Sequence, residues 1–349
     1  MVLERADALT GKTTGVYHFG AENTIAERLS HAYRFMIFAG YVKGKPVIVT
    51  QQGTYGDIYF QCYNSDMSLR WSKVIGEFEG SRASHTTPVM DINRDGTDEV
   101  IFGEHIISLD DGHEIISLDH NGYNGHSDVV LPFYDYRSGK SYIYTCREGG
   151  EYEGCPRVVT YDYKGNIVWK DIYSDEWGDL VEDGHMHYGF VATVKPDFRR
   201  VAYALRHRLK KEIWEDYYYD AVTGEKLEMP FNLRNLRPID INGDGYHEYI
   251  YTKDSTARLA DADGNEVFDS NGGLLIIGKW FGAPGEQFMT WNKETGKVSI
   301  FFDAQAKESK EFLMRHEDKY HSMMQKMTGS GYNWLTSVDC SDNISTFGE

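Results

Sequence analysis

Two segments of the chain, PVMDINRDGTDEVIFG (88–103) and RPIDINGDGYHEYIYT (237–252), share one pattern: an apolar run, D-I-N-x-D-G-x-x-E, and a second apolar run. A tight acidic turn between short strands, recurring within one chain, points to a repeat architecture of small sheets. A second unit recurs beside it, as VVTYDYKGNIVWK (158–170), YYYDAVTGEKLEM (217–229), ARLADADGNEVFD (257–269) and FMTWNKETGKVSIFF (288–302). Each reads as strand, D/N-x-x-G turn and strand, which is hairpin chemistry. An inner hairpin followed by an outer hairpin makes a four-stranded unit of about 40–50 residues, the size of a propeller blade. Units begin near residues 31, 85, 126, 187, 237 and 276, and NWLTSVD (333–339) is expected to complete a last blade with the N-terminal segment. The expectation is an all-β fold, a seven-bladed β-propeller of four-stranded antiparallel blades forming a single domain over residues 1–349. Two β-sandwiches are the competing arrangement, and the repeats argue against it. Helix is expected only within 23–35 and 306–324.

Composition fits strands and turns: aromatics reach 14%, with 25 Tyr, and there are 35 Gly. The net charge of −18 argues against a nucleic-acid partner, which needs clustered Lys and Arg. No apolar run approaches the roughly 18 residues of a membrane span, and the opening MVLERADALTGKTTG lacks the apolar core of a signal peptide. The chain is therefore cytoplasmic or the mature form of an exported protein. A monomer is expected. Of the four cysteines, Cys62, Cys146, Cys155 and Cys340, only Cys146 and Cys155 are close in sequence. They are a hairpin disulfide, part of a zinc site, or free buried thiols.

In the acidic turns, Asp91, Asn93, Asp95 and Glu99 recur as Asp240, Asn242, Asp244 and Glu248. Oxygen side chains on alternate residues around a glycine can converge on a hard cation such as calcium. They can equally accept the backbone N–H groups of the turn itself. Either role is structural.

The first strand of a blade starts, and the second ends, at the end opposite the acidic turn. Running this logic along the chain collects His85 and His105, His126, Arg147, Tyr152 and Arg157, His185 and His187, Arg206, His207 and Arg208, Arg234 and Arg237, and then Arg315, His316, His321 and Tyr332 at one end. That mixture in an acidic protein suits a substrate carrying carboxylates. His126, His207 and His247 read individually as structural strand-end residues.

Three stretches, SHTTPVMDINRDGTDEVIFGEH, CREGGEYEGCPRVVTYDYKGNIVW and LMRHEDKYHSMMQKMTGSGYNW, resemble β-propeller polysaccharide lyases. The chain is most similar to ulvan lyases and L-rhamnose-α-1,4-D-glucuronate lyases, and more distantly to rhamnogalacturonan lyases. The resemblance implies an exported (secreted or periplasmic) enzyme that cleaves an acidic rhamnose/uronate polysaccharide by β-elimination, with no cofactor required for the chemistry. It implies catalytic roles for His85, His105, Tyr152 and Arg157: Tyr152 and His105 for proton transfer, His85 and an arginine for the carboxylate. Arg147, Arg206 or Arg237 could take the arginine's place. His187, Arg206, Arg237 and His321 become substrate contacts. A structural zinc on Cys155 with His185 or His187 is a further implication, secondary to calcium. The alternatives are a glycoside hydrolase acting on rhamnosyl-glucuronate, drawing on Glu104, Glu148, Glu151 or Glu153, and a non-catalytic glycan-binding propeller.

Overall fold

The computed structural model describes residues 2–18, 35–54, 56–80, 82–84, 87–93, 95–118, 123–135, 137–148, 155–173, 185–194, 199–208, 213–234 and 236–316. An N-terminal hairpin pairs β1 (Val2–Ala6) with β2 (Thr13–His18). Six antiparallel sheets then follow in chain order. Sheet 1 holds β3 (Phe35–Val42), β4 (Lys45–Gln52), β5 (Ile58–Asn64) and β6 (Leu69–Ile75). Sheet 2 holds β7 (Val89–Met90), β8 (Glu99–Phe102), β9 (His105–Ser108) and β10 (Glu114–Ser117). Sheet 3 holds β11 (Ser127–Asp135), β12 (Lys140–Arg147), β13 (Pro156–Asp162) and β14 (Ile167–Tyr173). Sheet 4 holds β15 (His185–Thr193), β16 (Arg200–Arg208) and β17 (Ile213–Asp220), and sheet 5 holds β18 (Arg237–Ile239), β19 (Glu248–Lys253), β20 (Thr256–Ala260) and β21 (Glu266–Asp269). Sheet 6 holds β22 (Gly273–Gly278), β23 (Gln287–Asn292) and β24 (Lys297–Phe301), followed by a short helix α1 (Lys310–His316).

Every sheet is a simple meander, and the first strands fall close to the expected positions. Two expectations fail in detail. The fourth strand expected at 217–229 is reduced to a single bridge between Tyr219 and Lys226. The hairpin at 288–302 supplies the second and third strands of sheet 6 rather than an outer pair. The segments 23–34, 317–324 and 333–339 lie outside the described residues, so the first predicted helix and the closing strand do too.

The apolar core is divided between successive sheets. Val49, Phe60, Val100 and Phe102 join sheets 1 and 2, and Ile101, Ile106, Val130 and Ile143 join sheets 2 and 3. A larger aromatic layer with Tyr144, Trp169, Tyr188, Tyr203 and Tyr249 runs through sheets 3, 4 and 5, and Ile250 with Phe288 links sheets 5 and 6. The joints use repeated devices. Trp71 and Trp169, both on outer strands, donate their indole N–H to Leu109 O (2.9 Å) and Ala221 O (2.7 Å) of the following sheet. The left-handed glycines Gly112 (φ 78°) and Gly224 (φ 75°) lie against these two rings, where a Cβ would collide with the indole.

The acidic turns tie sheets together as well. Asp98 N bonds Tyr41 O (2.8 Å), and at the equivalent position His247 N bonds Thr193 O (2.7 Å). Each turn is thereby fastened to the first strand of the preceding sheet. This fixes the acidic turns at one end of the sheets and leaves the starts of β7 and β11 and the turn from β8 to β9 at the other.

Candidate functional site

The two acidic turns satisfy their own backbones in the same way. Asp91 accepts from Asp95 N and Gly96 N, Asn93 from Asp95 N, Asp95 from Thr97 N, and Glu99 from Ile92 N at 2.7 to 3.0 Å. Asp240 accepts from Gly245 N, Asn242 from Asp244 N, Asp244 from Tyr246 N and Glu248 from Ile241 N at 2.8 to 3.2 Å. Burial, reinforced by the neighbouring aspartates, pushes Glu99 up to about 8 and Glu248 up to about 9. These side chains do the work of turn formation.

At the other end, β8 stops at Phe102, and His105 opens the third strand rather than closing the second. A Gly103–Glu104 turn separates them, so His105 reaches the expected end of the sheet. Its ring is buried, however, with Nδ1 2.6 Å from Glu114 Oε1. Burial works against ionisation of Glu114, but the hydrogen bond and charge of His105 outweigh it and hold that carboxyl below its usual value. A side chain so enclosed is suited to bracing the turn, not to meeting a polymer.

Glu104 extends from this turn to sheet 3, where Arg147 ends β12. Arg147 Nε and Nη2 donate to Glu104 Oε1 (2.7 Å) and Oε2 (2.8 Å), and Tyr161 Oη donates to the same carboxylate (2.7 Å). The guanidinium stacks 4.0 Å from the centre of the Tyr123 ring. Both charged groups are fully buried. Arg147 is therefore turned toward Glu104 rather than toward a substrate carboxylate, and Glu104 has both oxygens engaged by Arg147 and Tyr161. Arg157, expected to grip the substrate, is buried with Nη1 on Glu148 O (2.8 Å). It braces the end of β12 at Glu148, and Arg147 bonds the start of β13 through Pro156 O (3.4 Å).

The groups that do converge are His126, expected to be structural, Glu148, expected only as a carboxylate of the hydrolase alternative, and Asp128, which carried no expectation. One ligand atom each from His126, Asp128 and Glu148 lies within 4.8 Å of the others. His126 and Asp128 are buried, with Nε2 and Oδ1 3.6 Å apart, and Glu148 is partly exposed. His126 Nδ1 lies 2.9 Å from Arg82 O, a contact that sets the ring and directs Nε2 at the carboxylates. A β-bulge between Ser127 and Val129 carries Asp128 out of the regular register. Glu148 is set by its N–H on His126 O (2.8 Å). One imidazole nitrogen with two carboxylates is a donor set for a divalent cation. The local signal was H-x-D at a strand start with a glutamate just past the end of the paired strand.

His85 and Tyr152 lie outside the described residues, as do His321, Tyr332 and the side chains of His185, His187, His207, Arg208 and Arg315. Ser84, the residue before His85, forms a parallel bridge with Ser127. Arg206 is partly exposed and pairs with Glu215 at 3.8 Å, whereas Arg237 is buried 5.3 Å from the centre of the Tyr188 ring. Neither shares the His126 cluster. Cys62, Cys146 and Cys155 are free buried thiols, so the Cys146–Cys155 disulfide does not form. Burial pushes Cys146 up to about 12. Cys155 Sγ lies 3.8 Å from Arg147 Nη1, a cationic neighbour at odds with a zinc ligand.

No protein-family model matches the chain, and no curated protein matches it. Solved structures do. The chain is similar to rhamnogalacturonan lyase YesW (17% identity, TM-score 0.74, covering 96% of this chain and 57% of that one). It is also similar to the exotype rhamnogalacturonan lyase YesX (17%, TM-score 0.71, 93% and 56%). A third is the Bacillus licheniformis rhamnogalacturonan lyase PL11 (18%, TM-score 0.68, 93% and 55%). The chain shares their fold and spans somewhat over half of their length.

Proposed function

We propose that this chain is a polysaccharide lyase that cleaves a rhamnose- and uronate-containing glycan by β-elimination. The observation that carries the reading is the convergence of His126, Asp128 and Glu148 within 4.8 Å at the end of the sheets away from the acidic turns. The fold shared with rhamnogalacturonan lyases supports it. These three side chains would hold a divalent cation, whose charge would neutralise a uronate carboxylate and acidify the C5 proton.

The chain's own residues account for the rest. Arg82 O orients His126, the bulge delivers Asp128, and Arg157 pins Glu148. Tyr152, on the loop rooted at Glu148 and Cys155, is the proposed proton-transfer residue, taking the C5 proton or returning one to the leaving O4. His85, one residue beyond the Ser84–Ser127 bridge, is proposed as a carboxylate contact. His105 becomes a positioning residue through Glu114. The hydrolase reading loses Glu104 to its pair with Arg147. We read the sheets as successive blades of a seven-bladed propeller, with the hairpin β1–β2 in the last, and the protein as an exported monomer.

The test is incubation with ulvan, rhamnogalacturonan and rhamnose-capped arabinogalactan, following the ultraviolet absorbance of a conjugated uronate. The reading expects that product from at least one polymer. Shortening of a polymer without it would mean hydrolysis.

A further inference from the structure

The turn that leaves sheet 1, Gly76–Gly80, is held firmly yet presents an aromatic ring to water. Gly76 N donates to Glu79 Oε2 (2.9 Å), and Glu79 N to Gly76 O (3.0 Å). Glu77 N donates to Asp57 Oδ1 (2.9 Å) in the neighbouring loop. Asn124, with its amide nitrogen turned inward, donates to Glu77 O (3.0 Å) and to Gly80 O. Phe78 at the tip is 78% exposed. Single exposed apolar residues are ordinary. A fully braced turn that keeps a phenyl ring out of a nearby core is less so.

Its position matters more. Asn124, which braces the turn, lies two residues before His126. Arg82 N donates to Gly125 O (2.8 Å), Arg82 Nε donates to Asn124 O (2.6 Å), and His126 Nδ1 lies 2.9 Å from Arg82 O. Phe78 is thus linked to the His126 cluster by a continuous hydrogen-bonded strip, at the same end of the sheets.

We infer that Phe78 is the platform of a sugar subsite beside the His126–Asp128–Glu148 cluster, and that it takes a neutral ring. The inference rests on the proposed uronate site and adds the second sugar of the repeat. The C–H face of a pyranose packs on an aromatic face, and burying that face is favourable. Two carboxylates, Glu77 and Glu79, flank Phe78 in the sequence and disfavour an anionic sugar there. The cluster and the ring together select a polymer alternating neutral and acidic sugars over a homopolymer of uronate.

The test compares the full chain with Phe78→Ala and Phe78→Trp. Binding is measured by affinity electrophoresis in two gels, one with an alternating rhamnose–uronate polysaccharide and one with polygalacturonate. Product release from the alternating polymer gives KM and kcat. The inference expects Phe78→Ala to weaken binding and raise KM on the alternating polymer by about tenfold, with kcat, melting temperature and polygalacturonate binding unchanged. Phe78→Trp should keep wild-type behaviour. Equal binding and KM in Phe78→Ala and wild type would overturn the subsite while leaving the lyase reading intact. Phe78-dependent binding without product would uphold the subsite and defeat the lyase reading. A Phe78→Ala defect of equal size in both gels would overturn the choice of a neutral ring.

Discussion

Glu104 and Arg147, from different sheets, meet as a doubly hydrogen-bonded ion pair, Nε to Oε1 at 2.7 Å and Nη2 to Oε2 at 2.8 Å. The pair is buried beneath the turn from β8 to β9 and beside Ser127, whose hydroxyl donates to the same carboxylate at 3.2 Å. Ser127 lies between His126 and Asp128, so the pair supports the candidate site from behind.

Breaking this pair from one side leaves a buried charge with its main partner gone. Arg147→Met is expected to cost about 3–5 kcal/mol. The double variant Glu104→Leu/Arg147→Met should recover a large part of that loss, because the desolvation of both charges goes with them. Denaturant unfolding of the two variants checks the difference.

The donor cluster is expected to bind a divalent cation through Asp128. In metal-stripped protein, calorimetric titration with calcium should show a site that Asp128→Asn weakens by at least about tenfold. His126→Gln should behave likewise. An unchanged isotherm in both would assign the binding elsewhere.

In cation-free protein the acidic turns should make stability depend on pH in a definite direction. Glu99 and Glu248 titrate at about 8 and about 9 when folded, against about 4.3 in an unfolded chain. The folded state therefore holds more protons between these limits. The stability gained is complete below the unfolded pKa and is lost as pH rises through the folded values. Melting temperature should fall between about pH 6 and pH 9, and Glu99→Gln/Glu248→Gln should flatten the decline.

Gly189, inside β15, faces Cys146 Sγ and Tyr203 O at distances of 2.6 and 2.7 Å from where a Cβ would stand. Gly189→Ala is expected to force sheets 3 and 4 apart and cost about 1–3 kcal/mol. Thermal unfolding measures it.

The repeat units were legible because D-I-N-x-D-G and the hairpin turns fix backbone conformation locally, whatever surrounds them. The shortened fourth strand after β17 was not, because pairing at Tyr219–Lys226 ends through tertiary packing, with Gly224 against Trp169. The end of the molecule that gathers His, Arg and Glu side chains was also legible, since strand direction follows from strand count. Which of these side chains converge was not. Arg147, Arg157 and His105 look like substrate contacts in a list of residue types, but Glu104, Glu148 O and Glu114 engage them. Asp128 went unnoticed because its direction depends on a bulge, which a two-residue strand period cannot anticipate.

The central claim is that β-elimination occurs at the His126 cluster. The most direct measurement is the rate of unsaturated uronate formation from a rhamnose–uronate polysaccharide, for wild type and Asp128→Asn, with the folded state of each verified by its melting temperature. The account predicts steady product from wild type, and a loss of at least about a hundredfold in a folded Asp128→Asn protein. Unsaturated product formed equally by both proteins would contradict it.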